Sequence, residues 1–164
     1  MTHYMELLAS NQPWNLLIFM AVPVMLAETL AISEFYLLFT RNMHGTVRRV
    51  SKWAGLLAGV YFLGVFIYLF FTAVVPLTMS GGWRGFADVL AVGAYLLGLV
   101  PLGAITLLEA GVIGGGRDEE GKLRMHAFWI GVFLVVAHIA MIFGMLNPEV
   151  VGYVPQVAMP VMVM

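Results

Sequence analysis

Apolar residues run along this chain in four long blocks, and polar residues are confined to short stretches between them. The blocks cover about residues 14–40, 53–77, 86–113 and 125–146. Each approaches or exceeds the roughly 20 apolar residues that an α-helix needs to cross a bilayer. The pattern predicts an all-α fold, an integral membrane four-helix bundle, with residues 1–164 forming one transmembrane domain. The first and third blocks are long for a single crossing, so tilting or kinking is expected. Pro23 and Pro101 lie inside them, and each removes one backbone hydrogen bond.

The segments outside the blocks are short. Residues 1–13 are expected to form an interfacial turn, with Leu7, Leu8 and Trp14 at the membrane surface. Gly114 to Gly121 reads as a flexible polar loop, because three consecutive glycines mark a linker and not a phosphate-binding motif. The tail, residues 147–164, is apolar but interrupted by Pro148, Pro155 and Pro160, so it should lie on the surface or against a partner. The first block follows a start without positive charge and is too long for a signal peptide, so it is expected to remain as a helix.

Composition strengthens this picture. Hydrophobic residues make up 62% of the chain and charged residues 10%, too few charges to cover a soluble domain of this length, so the solvent must be lipid. No basic face suggests nucleic-acid binding. The absence of cysteine excludes disulfides, thiolate metal sites, iron–sulfur clusters and covalent haem attachment.

Charge placement sets an expected orientation. Arg41, Arg48, Arg49 and Lys52 follow the first block, and Arg117, Lys122 and Arg124 precede the fourth. The other connection holds Arg84 alone. Basic residues mark the cytoplasmic side, so both termini should face outward, to the periplasm, from an inner membrane.

Small residues recur at helical spacing. Gly55 and Gly59, extended by Ala54 and Ala58, form one small-xxx-small set, and Ala140 with Gly144 forms another. Close helix contact is the favoured reading, although such sets would also admit a flat cofactor.

The candidate chemistry resides in ionisable groups inside these blocks. Glu28, Glu34, Glu109 and His138 sit among apolar residues, where an ionisable group costs roughly 2.5 kcal/mol or more on insertion scales. Counting from the basic end at 1.5 Å per residue puts Glu34 about 10 Å and Glu109 about 5 Å deep, with His126 and His44 near the boundary. The same count puts Glu28 and His138 both about 20 Å deep. At 100° per residue, Glu28 and Glu34 stand about 120° apart, as do His126 and His138. One site holding all five in-helix groups is therefore not expected, and two levels are.

Three chemistries fit such groups. A b-type haem needs two axial ligands, for which His44, His126 and His138 are the candidates, with nearby arginines for its propionates. A mononuclear transition-metal site could draw on Glu34, Glu109 and His126, while the Glu-x-x-His pattern of di-metal bundles is missing. A proton pathway could use Glu28, Glu34, Glu109 and His138, with Thr29, Ser33 and Thr106 bridging. The structural alternative is that each group satisfies a local need: a glutamate bonding a carbonyl freed by Pro23 or Pro101, Glu28 pairing His138, or Glu109 pairing Arg117 or Lys122. Met159, Met162 and Met164 in the tail could bind Cu(I), but contact with lipid or a partner is the favoured reading.

The expected function is an electron- or proton-handling subunit of a respiratory-type membrane complex, partnered by other membrane subunits or by copies of itself. The alternative is a non-redox protein, a metal-binding or proton-coupled permease component or an assembly factor. An enzyme acting on a soluble substrate is disfavoured, because no loop is large enough to build a pocket outside the membrane.

Overall fold

In a computed structural model, residues 1–42, 45–116 and 118–154 are described. Their regular elements are all helical: a short α1 (His3–Ala9), four long helices α2 (Trp14–Thr40), α3 (Thr46–Ser80), α4 (Phe86–Glu109) and α5 (Glu119–Met145), and a closing 3-10 turn (Pro148–Val151). The four long helices have the length and apolar character to cross a membrane. They form an up-down-up-down bundle in which sequence neighbours pack and α5 closes back onto α2. Most bulky side chains on their outer faces are exposed, Ile32, Phe39, Val60 and Phe71 among them, as expected for helices whose solvent is lipid.

The prolines act through named carbonyls. Pro23 has no N–H to offer the carbonyl of Phe19 four residues back. The chain widens into a π-turn over Leu17–Ala21 just before it. Two tyrosines from other helices serve the freed acceptors: Tyr95 Oη–H donates to Phe19 O at 2.6 Å, and Tyr61 Oη–H to Ile18 O at 3.0 Å. Tyrosines, not a glutamate, therefore satisfy the Pro23 break. A second π-turn, Phe70–Val74, precedes Pro76 in α3. In α4 the helix is interrupted at Gly98, three residues before Pro101, where Gly98 N–H bonds Tyr95 O.

Small residues mediate helix contact. A methyl built on Gly59 would fall 1.9 Å from Thr106 Oγ1, and one on Gly55 3.1 Å from Ile105 Cγ2, so the backbone of α3 lies directly against α4. The Thr106 hydroxyl bonds Gly55 O across this contact at 2.8 Å. No space for a flat cofactor is left there. Gly144 plays the same part for α1, since a methyl on it would meet the Tyr4 ring at 2.7 Å.

Residues 1–13 do more than lie at an interface. Tyr4 and Leu8 are buried, and burial pushes the Tyr4 hydroxyl up to about 12. The Thr2 hydroxyl donates to Gly144 O at 2.5 Å, so α1 and the end of α5 share one end of the bundle. Trp14 remains exposed. We call this the amino-terminal end, and the opposite one, which carries the basic connections, the basic end.

Candidate functional site

The α2–α3–α4–α5 ring brings four chemistry-bearing side chains to one buried point near the basic end. Glu34 on α2 and His126 on α5 are each 2% exposed, so both are cut off from solvent and must satisfy one another. Their closest atoms, Glu34 Oε1 and His126 Nδ1, are 2.5 Å apart. The other ring nitrogen, Nε2, lies 3.3 Å from Glu109 Oε1 at the end of α4. Arg48, in the first turns of α3, grips Glu109 with both terminal nitrogens, one donating to Oε1 and the other to Oε2 at 3.2 Å. It also reaches Glu119 at 3.9 Å. The result is a continuous chain, Glu34–His126–Glu109–Arg48, running from a fully buried carboxyl to a guanidinium that is 18% exposed. Among the described residues, two buried side-chain polar atoms stay without a partner: Glu34 Oε2 and the Ser51 hydroxyl, one turn along α3 from Arg48.

Local sequence explains why these groups meet. Asp118 caps α5, accepting from Gly121 N–H at 3.0 Å, and Lys122–Glu119 and Arg124–Glu120 pairs support its first turns. The helix thus starts at Glu119, six residues before the apolar block begins. That extension places His126 about 9 Å further along its helix than the apolar boundary implies, and so level with Glu34. Gly55 and Gly59 let α4 approach α3 closely, which carries Glu109 to Arg48. Glu109 Cγ would itself stand 3.5 Å from a methyl on Gly55.

Charge counting shows what the chain can do. With Glu109 ionised against Arg48, the remaining pair holds one proton in either of two ways: Glu34–COOH with neutral His126, or Glu34 carboxylate with imidazolium. The total charge is zero in both, so moving the proton exposes no net charge to the low-dielectric interior. An imidazole with a carboxylate near each nitrogen can also take a proton on one side and release it on the other.

The other predicted site residues are placed apart. Glu28 is exposed on α2 and makes no hydrogen bond or ion pair among the described residues. His138 is exposed on α5, its Nδ1 2.6 Å from Leu134 O. The two do not pair with each other. With Glu34 and His126 at one level, Glu28 lies six residues and His138 twelve residues towards the amino-terminal end, a separation of about 9 Å. The equal depth expected for them reflected the late start assigned to α5. His44, needed with His126 for haem, lies outside the described residues, as do Arg117 and the tail methionines Met159, Met162 and Met164. A haem iron taking His126 as a ligand would first have to displace a carboxylate from one ring nitrogen. Among the described residues no three His, Asp or Glu side chains are grouped to hold a metal ion. Glu34 and Glu109 instead approach different nitrogens of one ring.

Sequence reasoning missed a second polar cluster at the amino-terminal end. Asp88, fully buried in the first turn of α4, accepts from His3 N–H at 2.7 Å and Arg84 N–H at 3.1 Å, and lies 2.5 Å from His3 Nδ1. Arg84 donates to Glu6 and to Met1 O, both at 2.6 Å, and its guanidinium holds the Glu6 carboxyl below the usual carboxylate range. This cluster pins α1 over the bundle. The available signal was an acidic residue two positions after the start of an apolar block, where a helix N-terminus favours negative charge.

Four apolar spans closed around a buried acid–base chain define a multi-pass helical membrane protein. The chain belongs to a family of unknown function (DUF6803), whose model matches residues 1–160. No curated protein and no solved structure matches it.

Proposed function

We propose that this protein is a proton-handling membrane protein that takes up and holds one proton at Glu34–His126, with a respiratory-type or transport assembly in an inner membrane as its setting. The observation that carries the reading is a single buried imidazole set between two carboxylates from different helices. Arg48 fixes the charge of Glu109 and reaches the basic end, the expected cytoplasmic side, so protons enter there. Towards the amino-terminal end the core beyond Glu34 is apolar, with Leu30, Ala27 and Phe62 all buried. The site therefore loads from one side, and release to the other side needs a partner or a rearrangement.

Proton titration of the purified protein in lipid nanodiscs tests this. As the pH is lowered, wild type should bind about one more proton per chain than Glu34→Gln or His126→Gln, because the pair reaches zero net charge only with that proton aboard. Equal uptake by wild type and both variants, with the fold retained, would overturn the reading. A Soret band in the absorption spectrum of the same sample would favour haem in its place.

A further inference from the structure

We infer that the outward seam between α2 and α5 is where a second copy of this chain docks, with Glu28 of each copy bonded to His138 of the other. Among the described residues, the seam carries the carboxyl and the imidazole found exposed well inside the spans, Glu28 and His138. Glu28 lies one turn after Val24, and Val24 lines an apolar cavity together with Ala137 and Met141 of α5. His138 adjoins Ala137 and precedes Met141 by three residues. Both groups therefore stand at the edges of the same inter-helix seam, where lipid tails alone would leave the Glu28 carboxyl and the His138 Nε2 without a partner at substantial cost.

Their chemistry is complementary. A carbonyl oxygen only accepts, so the 2.6 Å contact with Leu134 O assigns the Nδ1 proton to His138. Its Nε2 is left as an acceptor directed away from its own helix. Glu28 in its carboxylic acid form has one O–H and no acceptor among the described residues. Joined, the two satisfy each other at zero net charge, whichever of them holds the proton.

Depth also agrees. Helical side chains lean towards their helix N-terminus. Glu28 leans towards the amino-terminal end and His138 towards the basic end, because α2 and α5 run in opposite directions. The bond of His138 to Leu134, one turn nearer the basic end, shows this lean directly. The backbone offset of about 9 Å is thereby narrowed to hydrogen-bonding reach across an interface.

A two-fold axis along the membrane normal sets seam against seam and forms the pair twice. The outer face of α5 is also hollow beside the seam. Ala127, Gly131 and Val135 line a groove there, and a methyl on Gly131 would meet nothing within 4 Å. Small residues at that spacing admit a neighbouring helix closely.

The full chain lacks cysteine, so Ser10→Cys gives a unique labelling point for energy transfer between copies in liposomes. Transfer should rise with protein-to-lipid ratio as a saturating dimer. Glu28→Ala and His138→Ala, both at exposed positions where truncation removes no packing, should each weaken the dimer about tenfold, the expected effect of losing two interhelical hydrogen bonds. The exchange variant Glu28→His with His138→Glu should restore it. Monomers at every lipid ratio would mean that lipid covers the seam, and would overturn the proposal. A dimer indifferent to both alanine variants, or one that the exchange fails to restore, would overturn it equally. These variants leave Glu34, His126, Glu109 and Arg48 intact, so the result is independent of the proton-handling reading.

Discussion

Glu109→Ala is expected to lower the stability of the folded bundle by about 3 kcal/mol, the lower end of the 3–5 kcal/mol range for removing one partner of a buried ion pair. The loss is large because Arg48 is left with a charge that Glu119, 3.9 Å away and exposed, answers only weakly. His126 also loses the carboxylate that lies 3.3 Å from Nε2. It stays near the lower end because the guanidinium retains some access to the membrane surface. Adding Arg48→Met to Glu109→Ala should recover most of the loss, since the orphaned charge is removed with its partner. Reversible unfolding in bicelles measures both. A cost below about 1 kcal/mol for Glu109→Ala, the value typical of an exposed pair, would show that the pair is hydrated and not part of a buried chain.

Gly59→Ala should be nearly as damaging through packing alone. The added methyl would stand 1.9 Å from Thr106 Oγ1, 2.8 Å from Thr106 Cβ and 2.9 Å from the Leu102 carbonyl. Two of those three atoms cannot rotate away, so α3 and α4 must separate. Overpacking of this kind costs about 1–3 kcal/mol and sometimes more. The same unfolding measurement should place Gly59→Ala at or above the top of that range. Thr106→Ala added to it should restore only part, because Cβ and the Leu102 carbonyl remain. Full restoration would mean that the hydroxyl alone sets the helix spacing. Separation here also draws Glu109 from Arg48, so Gly59→Ala should reduce the proton uptake assigned to the site.

The four spans were legible because about 20 consecutive apolar residues leave a helix few alternatives in lipid. The glycine pairs were equally legible as helix contacts, and the phase argument correctly separated Glu28 from Glu34 and His126 from His138. The start of α5 was not legible from apolarity. Residues 119–124 include Glu119, Glu120, Lys122 and Arg124, yet they are helical through a cap at Asp118 and i,i+3 and i,i+4 pairs that hydropathy does not register. That single boundary shifted the depth of His126 and obscured its match with Glu34. It also made Glu28 and His138 look like partners within one chain. Arg48 was read as a marker of sidedness because its pairing with Glu109 spans 61 positions and exists only once α3 and α4 pack. Asp88 and His3 escaped for the same reason, being brought together across 85 positions.

The central claim is that Glu34 and His126 share one proton in a site sealed from water. Nitrogen NMR of reconstituted protein carrying ¹⁵N-histidine measures this most directly, with the His126 signals assigned by their loss in His126→Gln. The account predicts an Nδ1 signal between the positions of a bare and a fully protonated ring nitrogen, displaced by Glu34→Gln. An imidazole that titrates near the ordinary value of about 6.5 and ignores Glu34→Gln would contradict it.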